Sequence, residues 1–268
     1  MIWNRVQDRR VFTAALVALI VLAWAALLAW DQSPYGRFLD HEELAEVGLG
    51  LDAGTLGFAA IFVAGWTLMT FAMMLPTSLP LIQMFQRMTR ARADRRQLVI
   101  LLIAGYLAVW AGFGVTAHLG DLFLHQVLVE RWAWLDQHAW VIGGATLIGA
   151  GAYQFTPLKY QCLDKCRSPY SFITSHWQGG REKTRSFVLG AHHGVFCVGC
   201  CWSLMLLMFV VGIGNLGWML ALGAVMAIEK NMPWGRRISA PLGAGLIAAG
   251  VGVIVFAAVD VCAGSLGC

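Results

Sequence analysis

LVILLIAGYLAVWAGFGVTAH, residues 98–118, runs without one charged side chain. Arg95 and Arg96 stand just before it and Asp121 just after. About 20 mostly apolar residues suffice for a helix to cross about 30 Å of hydrocarbon. Six further stretches read the same way: 11–30, 54–75, 139–157, 191–212, 215–230 and 241–260. The 215–230 stretch is the shortest, and a tight Gly212-Ile213-Gly214-Asn215 turn joins it to the one before. The first run is too long for an ordinary signal-peptide core and lacks a cleavage site, so it reads as a retained span.

Composition agrees with this reading. The 268 residues are 59% hydrophobic and 13% charged, against about 45–50% and about 25% in soluble domains. The values exclude a cytosolic enzyme, a disordered tail, a collagen and a secreted disulfide scaffold. Charge placement gives an orientation. All of the 19 Lys and Arg residues except Arg37 and Arg131 fall in the N-terminal tail or the loops at 76–97, 158–190 and 229–240. Asp31, Asp40, Glu42, Glu43, Glu46, Asp52, Asp121, Glu130, Asp136 and Asp260 fall on the other side. By the positive-inside rule, the expectation is an all-α polytopic bundle of about seven transmembrane helices. Its N-terminus is cytoplasmic, its C-terminus periplasmic, and residues 1–268 form a single integral domain of a bacterial inner membrane. The lipid bilayer is the first partner, and no nucleic-acid partner is expected. Trp24, Trp30, Trp132, Trp134 and Trp140 cluster near the outer boundary, as an aromatic belt does. Gly143, Gly144 and Gly149 in the fourth stretch, and Gly243, Gly245, Ala249, Gly250 and Gly252 in the last, permit close helix contact.

The chemistry concentrates at the start of the fifth stretch, His192-His193-Gly194-Val195-Phe196-Cys197-Val198-Gly199-Cys200-Cys201. On a helix His193, Cys197 and Cys201 recur at every fourth residue and share a face. Cys200 lies beside that face, and Met205 and Met208 extend it, although Met is ordinarily a core filler. Thiolates and thioethers are soft ligands that select Cu(I), and His with thiolates also suits zinc. Cys162 and Cys166 lie in the basic loop on the same cytoplasmic side, where thiols stay reduced. The ligand set expected from spacing is therefore His193, Cys197, Cys200, Cys201, Cys162, Cys166 and His192. Met73 and Met74, followed by Pro76, end the second stretch on this face. Glu229 and Lys230 end the sixth there, and the sequence reads them as an interfacial ion pair.

A second metal group is drawn at the opposite face: His118, Asp121, His125 and His138. The first three share a face if the helix continues through residue 125. The spacing of Asp121, His125 and His138 resembles the copper site of the C subunit of particulate methane and ammonia monooxygenases. Cys262 and Cys268 in the C-terminal tail can close a disulfide or act as surface ligands.

Several motifs occur in one order: Met73-Met74-Leu75-Pro76, Tyr153-Gln154-Phe155-Thr156-Pro157-Leu158-Lys159, Cys162-x3-Cys166-Arg167-Ser168-Pro169, His193-Gly194-x2-Cys197-x2-Cys200-Cys201-Trp202 and Glu229-Lys230-x2-Pro233-Trp234-Gly235. Over about residues 60–255 they resemble a bacterial family of uncharacterised, predicted metal-binding integral membrane proteins. The resemblance implies an inner-membrane protein whose ligands are Cys162, Cys166, His193, Cys197, Cys200 and Cys201. Three functions are weighed. The first is copper binding and trafficking, with delivery to a metallochaperone or metalloenzyme partner. The second is a subunit of a copper-dependent membrane oxidase or monooxygenase built on the His/Asp group. The third is a thiol redox protein using Cys197-x-x-Cys200. No P-loop pattern is present, so any transport is passive or partner-driven.

Overall fold

The computed structural model describes the backbone of residues 2–32, 53–124, 129, 131–177, 180–211 and 215–264. Among these residues the chain is helical and contains no strand. The long helices are α1 (Ile2–Asp31), α2 (Ala53–Met73), α4 (Arg95–Phe123), α6 (Trp140–Tyr153), α9 (Glu182–Val211), α10 (Leu216–Asn231) and α11 (Ser239–Gly264). One lies in each of the seven apolar stretches. Shorter helices fill the basic loops: α3 (Leu79–Met88), α7 (Pro157–Arg167) and α8 (Pro169–His176), with α5 (Ala133–Gln137) at the other end.

Length and apolarity narrow the set of spans. Arg95–Phe123, Glu182–Val210 and Gly235–Val259 are long and apolar enough to cross a membrane. A fourth arises if Ala60–Met73 and Pro76–Met88, bent by 46°, count as one broken span. The apolar stretches 11–30 and 139–157 carry the described helical runs Leu16–Trp30 and Trp140–Tyr153, which are apolar but shorter. Large apolar side chains face outward on α1 (Val21, Leu22) and α11 (Val255, Val259), and Phe256 is 74% exposed. Continuous outward apolar surface of this kind marks a lipid or protein contact face.

Helix α9 is the hub. It lies along α4 and contacts α6, α7 and α10. The α4–α9 approach is closed by two glycines. A Cβ at Gly105 would lie 2.0 Å from the Phe187 carbonyl oxygen, and one at Gly190 would lie 1.9 Å from that of Leu102. Only a residue without a side chain permits this spacing. Gly144 and Gly250 do the same between α6 and α11, whereas Gly149, Gly245 and Gly252 face open space. Elsewhere indole donors fix the packing. Trp66 Nε1 donates to the Trp110 carbonyl at 3.0 Å, and Trp24 Nε1 donates to that of Ala72 at 3.2 Å.

Local sequence sets the helix ends around the site. Thr156 caps α7 by accepting the Lys159 amide, with Pro157 at the first turn. Asn215 caps α10 by accepting the Trp218 amide at 3.2 Å. Pro76 breaks the chain after α2, and Pro76–Ser78 forms a single 3-10 turn.

Candidate metal centre

The break after α2 shapes the first wall. Ser78 donates its amide to the Leu75 carbonyl, so the Met74 carbonyl is left without its helical partner. Two hydroxyls take it instead: Thr77 Oγ1 at 2.7 Å and Tyr106 Oη at 3.2 Å. This fixes Met74, fully buried, against α9. The opposing wall is the α9 face on which Cys197, Cys201 and Met205 succeed one another at helical spacing. All three, with Cys200, are at most 1% exposed.

The sulfurs meet there. Cys201 Sγ lies 4.0 Å from Met74 Sδ, and Cys200 Sγ lies 4.0 Å from Cys166 Sγ on α7. With metal–sulfur bonds of about 2.3 Å, two sulfurs at this separation subtend roughly 120° at a shared ion. That is the opening of a trigonal soft-metal site. His193 contributes a second sign. It is 3% exposed, its Nε2 lies 3.2 Å from Ser78 Oγ, and its Nδ1 is buried with no partner. Nevertheless, among the described residues no three His, Cys, Asp or Glu side chains stand around one point that an ion can occupy. Cys200 and Cys201 donate back to the Cys197 carbonyl, at 3.1 and 2.8 Å.

The centre of the cluster holds a cation of the protein's own. Lys230 is 6% exposed. Its Nζ lies 2.9 Å from Cys197 Sγ, 3.7 Å from Cys201 Sγ and 3.8 Å from Met74 Sδ. Thr77 Oγ1 is at 3.4 Å, and Tyr106 Oη approaches Cys197 Sγ at 3.1 Å.

This placement corrects the expected Glu229–Lys230 pair. Glu229 pairs with Lys159 at 2.7 Å, both side chains being almost fully buried. Neighbours in sequence on a helix point about 100° apart and do not face each other. The pair is finished by hydrogen bonds, as a buried ion pair requires. Ser239 Oγ donates to Glu229 at 2.6 Å, and Lys159 also donates to Gln154 Oε1. Gln154 in turn donates to Ser203 and to the Ala150 carbonyl. Arg167 donates to the backbone carbonyls of Glu229 and Pro233, which ties α7 to the end of α10.

The Cys162–Cys166 pair divides. Cys166 reaches the thiols of α9, while Cys162 Sγ packs on the backbone of Gly199, where a Cβ would come within 2.6 Å. Tyr153 Oη donates to the Gly199 carbonyl and fixes this stretch of α9. Burial pushes the Cys162 thiol up. Hydrogen bonding with Cys197 and Cys200, and then burial, holds the Cys166 thiol well above its usual range.

His192 is not in the cluster. It is exposed, and its ring meets that of His176 edge-on at 5.3 Å. It follows the one-residue rotation that sends His193 inward. The opposite-face group is not assembled among the described residues. His118 stacks on Phe62 at 4.5 Å. His138 stacks on Trp134 at 4.6 Å and places Nδ1 2.7 Å from the Trp134 carbonyl oxygen. Asp121 lies in the last turns of α4, and His125 lies outside the described residues. The side chain of Cys262 and all of Cys268 also lie outside them.

Sequence reasoning missed Tyr106, Ser78 and the role of Lys230. A buried lysine beside cysteines shows in sequence only as a charge at the end of an apolar run, which the interface explains equally well.

The family model described as a copper chaperone, PpoB2, matches residues 63–253. That range holds every motif around the sulfur cluster, and the chain belongs to this family. No curated protein and no solved structure matches the chain.

Proposed function

We propose that this member of the copper chaperone family is an integral membrane protein. In this reading it takes up Cu(I) in the pocket of Cys197, Cys201 and Met74 and passes it on. Cys200 and Cys166 form the exchange pair toward the α7 loop, and His193 stands ready as a nitrogen ligand. The observation that carries the reading is that Cys197, Cys200 and Cys201 are buried side by side on α9, with Met74 Sδ 4.0 Å from Cys201 Sγ and Cys166 Sγ 4.0 Å from Cys200 Sγ. Each of these two separations suits a soft ion with few ligands. A carrier that must release its cargo is served by such a site better than by a closed tetrahedral one. Zinc is the competing ion for the same donors.

In the bilayer arrangement we propose, all seven long helices cross, with the N-terminus cytoplasmic and the C-terminus periplasmic. The shorter helices span by packing against longer neighbours. Support comes from the basic residues, which gather on the side of α3, α7 and α8. The sulfur cluster then opens to the cytoplasmic face of a bacterial inner membrane, where a metallochaperone or a copper enzyme can meet it.

The test is Cu(I) loading of detergent-purified protein under reducing, oxygen-free conditions, with wild type beside Cys197→Ser/Cys201→Ser. Wild type is expected to retain copper in a fixed ratio with sulfur neighbours in X-ray absorption, and the double variant to retain none. Full retention by the double variant, or a copper shell of nitrogen and oxygen alone, places the site elsewhere.

A further inference from the structure

We propose that the Lys230 ammonium is a tethered occupant of the copper pocket, which Cu(I) displaces on loading and which returns as the ion leaves. The inference rests on the sulfur-pocket reading above and assigns it a release device.

Three observations carry it. First, the ammonium sits among the donors themselves. Its nearest contact is Cys197 Sγ at 2.9 Å, and Cys201 Sγ and Met74 Sδ follow at 3.7 and 3.8 Å. An ion bound to these sulfurs and the lysine nitrogen compete for one volume. Second, among the described residues no carboxylate holds the lysine. A buried cation ordinarily pairs with one. The adjacent Glu229 is already committed to Lys159 and Ser239. Among the described residues the partners of Lys230 Nζ are sulfurs and the Thr77 hydroxyl. Third, the lysine is 6% exposed, so the sulfurs and the Thr77 hydroxyl, rather than bulk water, surround the ammonium that fills this volume.

The exchange is balanced in charge once the thiol proton is counted. Cu(I) takes the place of an ammonium of the same single positive charge, whose contacts to Cys197, Cys201 and Met74 break as it swings away on its stem. The proton that Cys201 donates to the Cys197 carbonyl leaves to water as the copper–sulfur bond forms, and no electron moves. Lysine suits the role better than arginine does. Its charge is compact and sits on a flexible stem of four carbons, whereas guanidinium is a rigid planar fork. The tether gives the ammonium a high effective concentration at the sulfurs, so the pocket refills as soon as a copper–sulfur bond loosens. A partner that draws on the ion is then helped by the carrier's own side chain.

The experiment loads full-length wild-type protein with Cu(I), supplied as its acetonitrile complex, and follows the 15N resonance of Lys230 Nζ after lysine labelling. Lys230→Arg identifies the signal. The expected result is a shift that grows with added copper and saturates at the ratio at which copper binding saturates. Release of bound Cu(I) to excess chelator is measured in parallel for wild type and Lys230→Leu, which adds no ligand. Removing a tethered competitor is expected to slow release by about tenfold or more, and equal release overturns the displacement. If wild type binds no copper, the pocket reading itself fails. If wild type binds copper while the Lys230 resonance stays in place, the pocket stands and the displacement is overturned. If Lys230→Leu does not fold, the wild-type resonance alone decides.

Discussion

The two ends of this bundle began as equals in the sequence, each with a handful of metal-ligating side chains, and their described members find different surroundings. At one end Met74, Cys197, Cys200, Cys201 and Lys230 are buried beside a half-buried Cys166, and the six come from four separate segments. At the other, His118 and His138 come from one continuous region and find aromatic rings instead. Regular spacing within one segment aligns side chains on a face, but it does not supply the opposing wall. The sulfur end has that wall because Pro76 breaks α2 and the basic loop refolds as α7 against α9. A ligand cluster is therefore better recognised by motifs far apart in the chain than by spacing inside one run.

The sharpest way to break the contrast is through the charges that hold the sulfur end together. Glu229→Ala leaves Lys159 buried and unpaired, which is expected to cost about 3–5 kcal/mol. Adding Lys159→Met should restore much of the loss, since replacing a whole buried pair by apolar groups is often near neutral. Unfolding of the detergent-solubilised variants, followed by tryptophan fluorescence, reads both. Equal stability of Glu229→Ala and wild type contradicts the buried pair.

Packing gives the next contrast. Gly199→Ala drives a methyl into Cys162 Sγ, and overpacking of this order costs about 1–3 kcal/mol. Gly120→Ala, near His118, meets nothing within 4 Å. It is expected to be neutral or to stabilise α4 by up to about 1 kcal/mol. A reversed order of the two unfolding midpoints contradicts the tight sulfur end and the open imidazole end alike.

The sequence was informative where one segment decides the outcome. Each of the seven apolar stretches carries a helix, although only three or four are long and apolar enough to cross a membrane, and the helical spacing of Cys197 and Cys201 held. It was uninformative where two segments must meet. Lys230 reads as an interfacial charge until α10 is seen packed beside α9. The apolar stretch 139–157 reads as a full span, yet α6 ends at Tyr153 because Thr156 and Pro157 start a new helix. His192 and His193 look equivalent in the sequence, and a single helical step separates the exposed ring from the buried one.

A smaller effect separates holding from handing over. Cys166→Ser removes one sulfur of the pair at 4.0 Å and leaves the Cys197, Cys201 and Met74 set intact. Copper retention is expected to stay close to wild type while transfer to an added chelator slows. Loss of retention in Cys166→Ser instead makes the loop cysteine a principal ligand. Arg92, exposed and bonded to Asp94 and Glu182, tests the other extreme on the same side of the molecule. Surface pairs of this type contribute little.

The smallest expected effect is the most diagnostic for the comparison. Aromatic stacking of the His138 ring on Trp134 contributes about 0.5–1.5 kcal/mol beyond its area, so His138→Ala should lower the unfolding midpoint slightly. If stacking is all the ring does, bound copper must be unchanged, and the same holds for His118→Ala. A metal ligand behaves in the opposite way, since its loss removes copper whether or not the fold is weakened. The two measurements, made on the same preparations, therefore assign each imidazole. A fall in copper content with either substitution makes the outer group a second metal site and removes the asymmetry between the two ends.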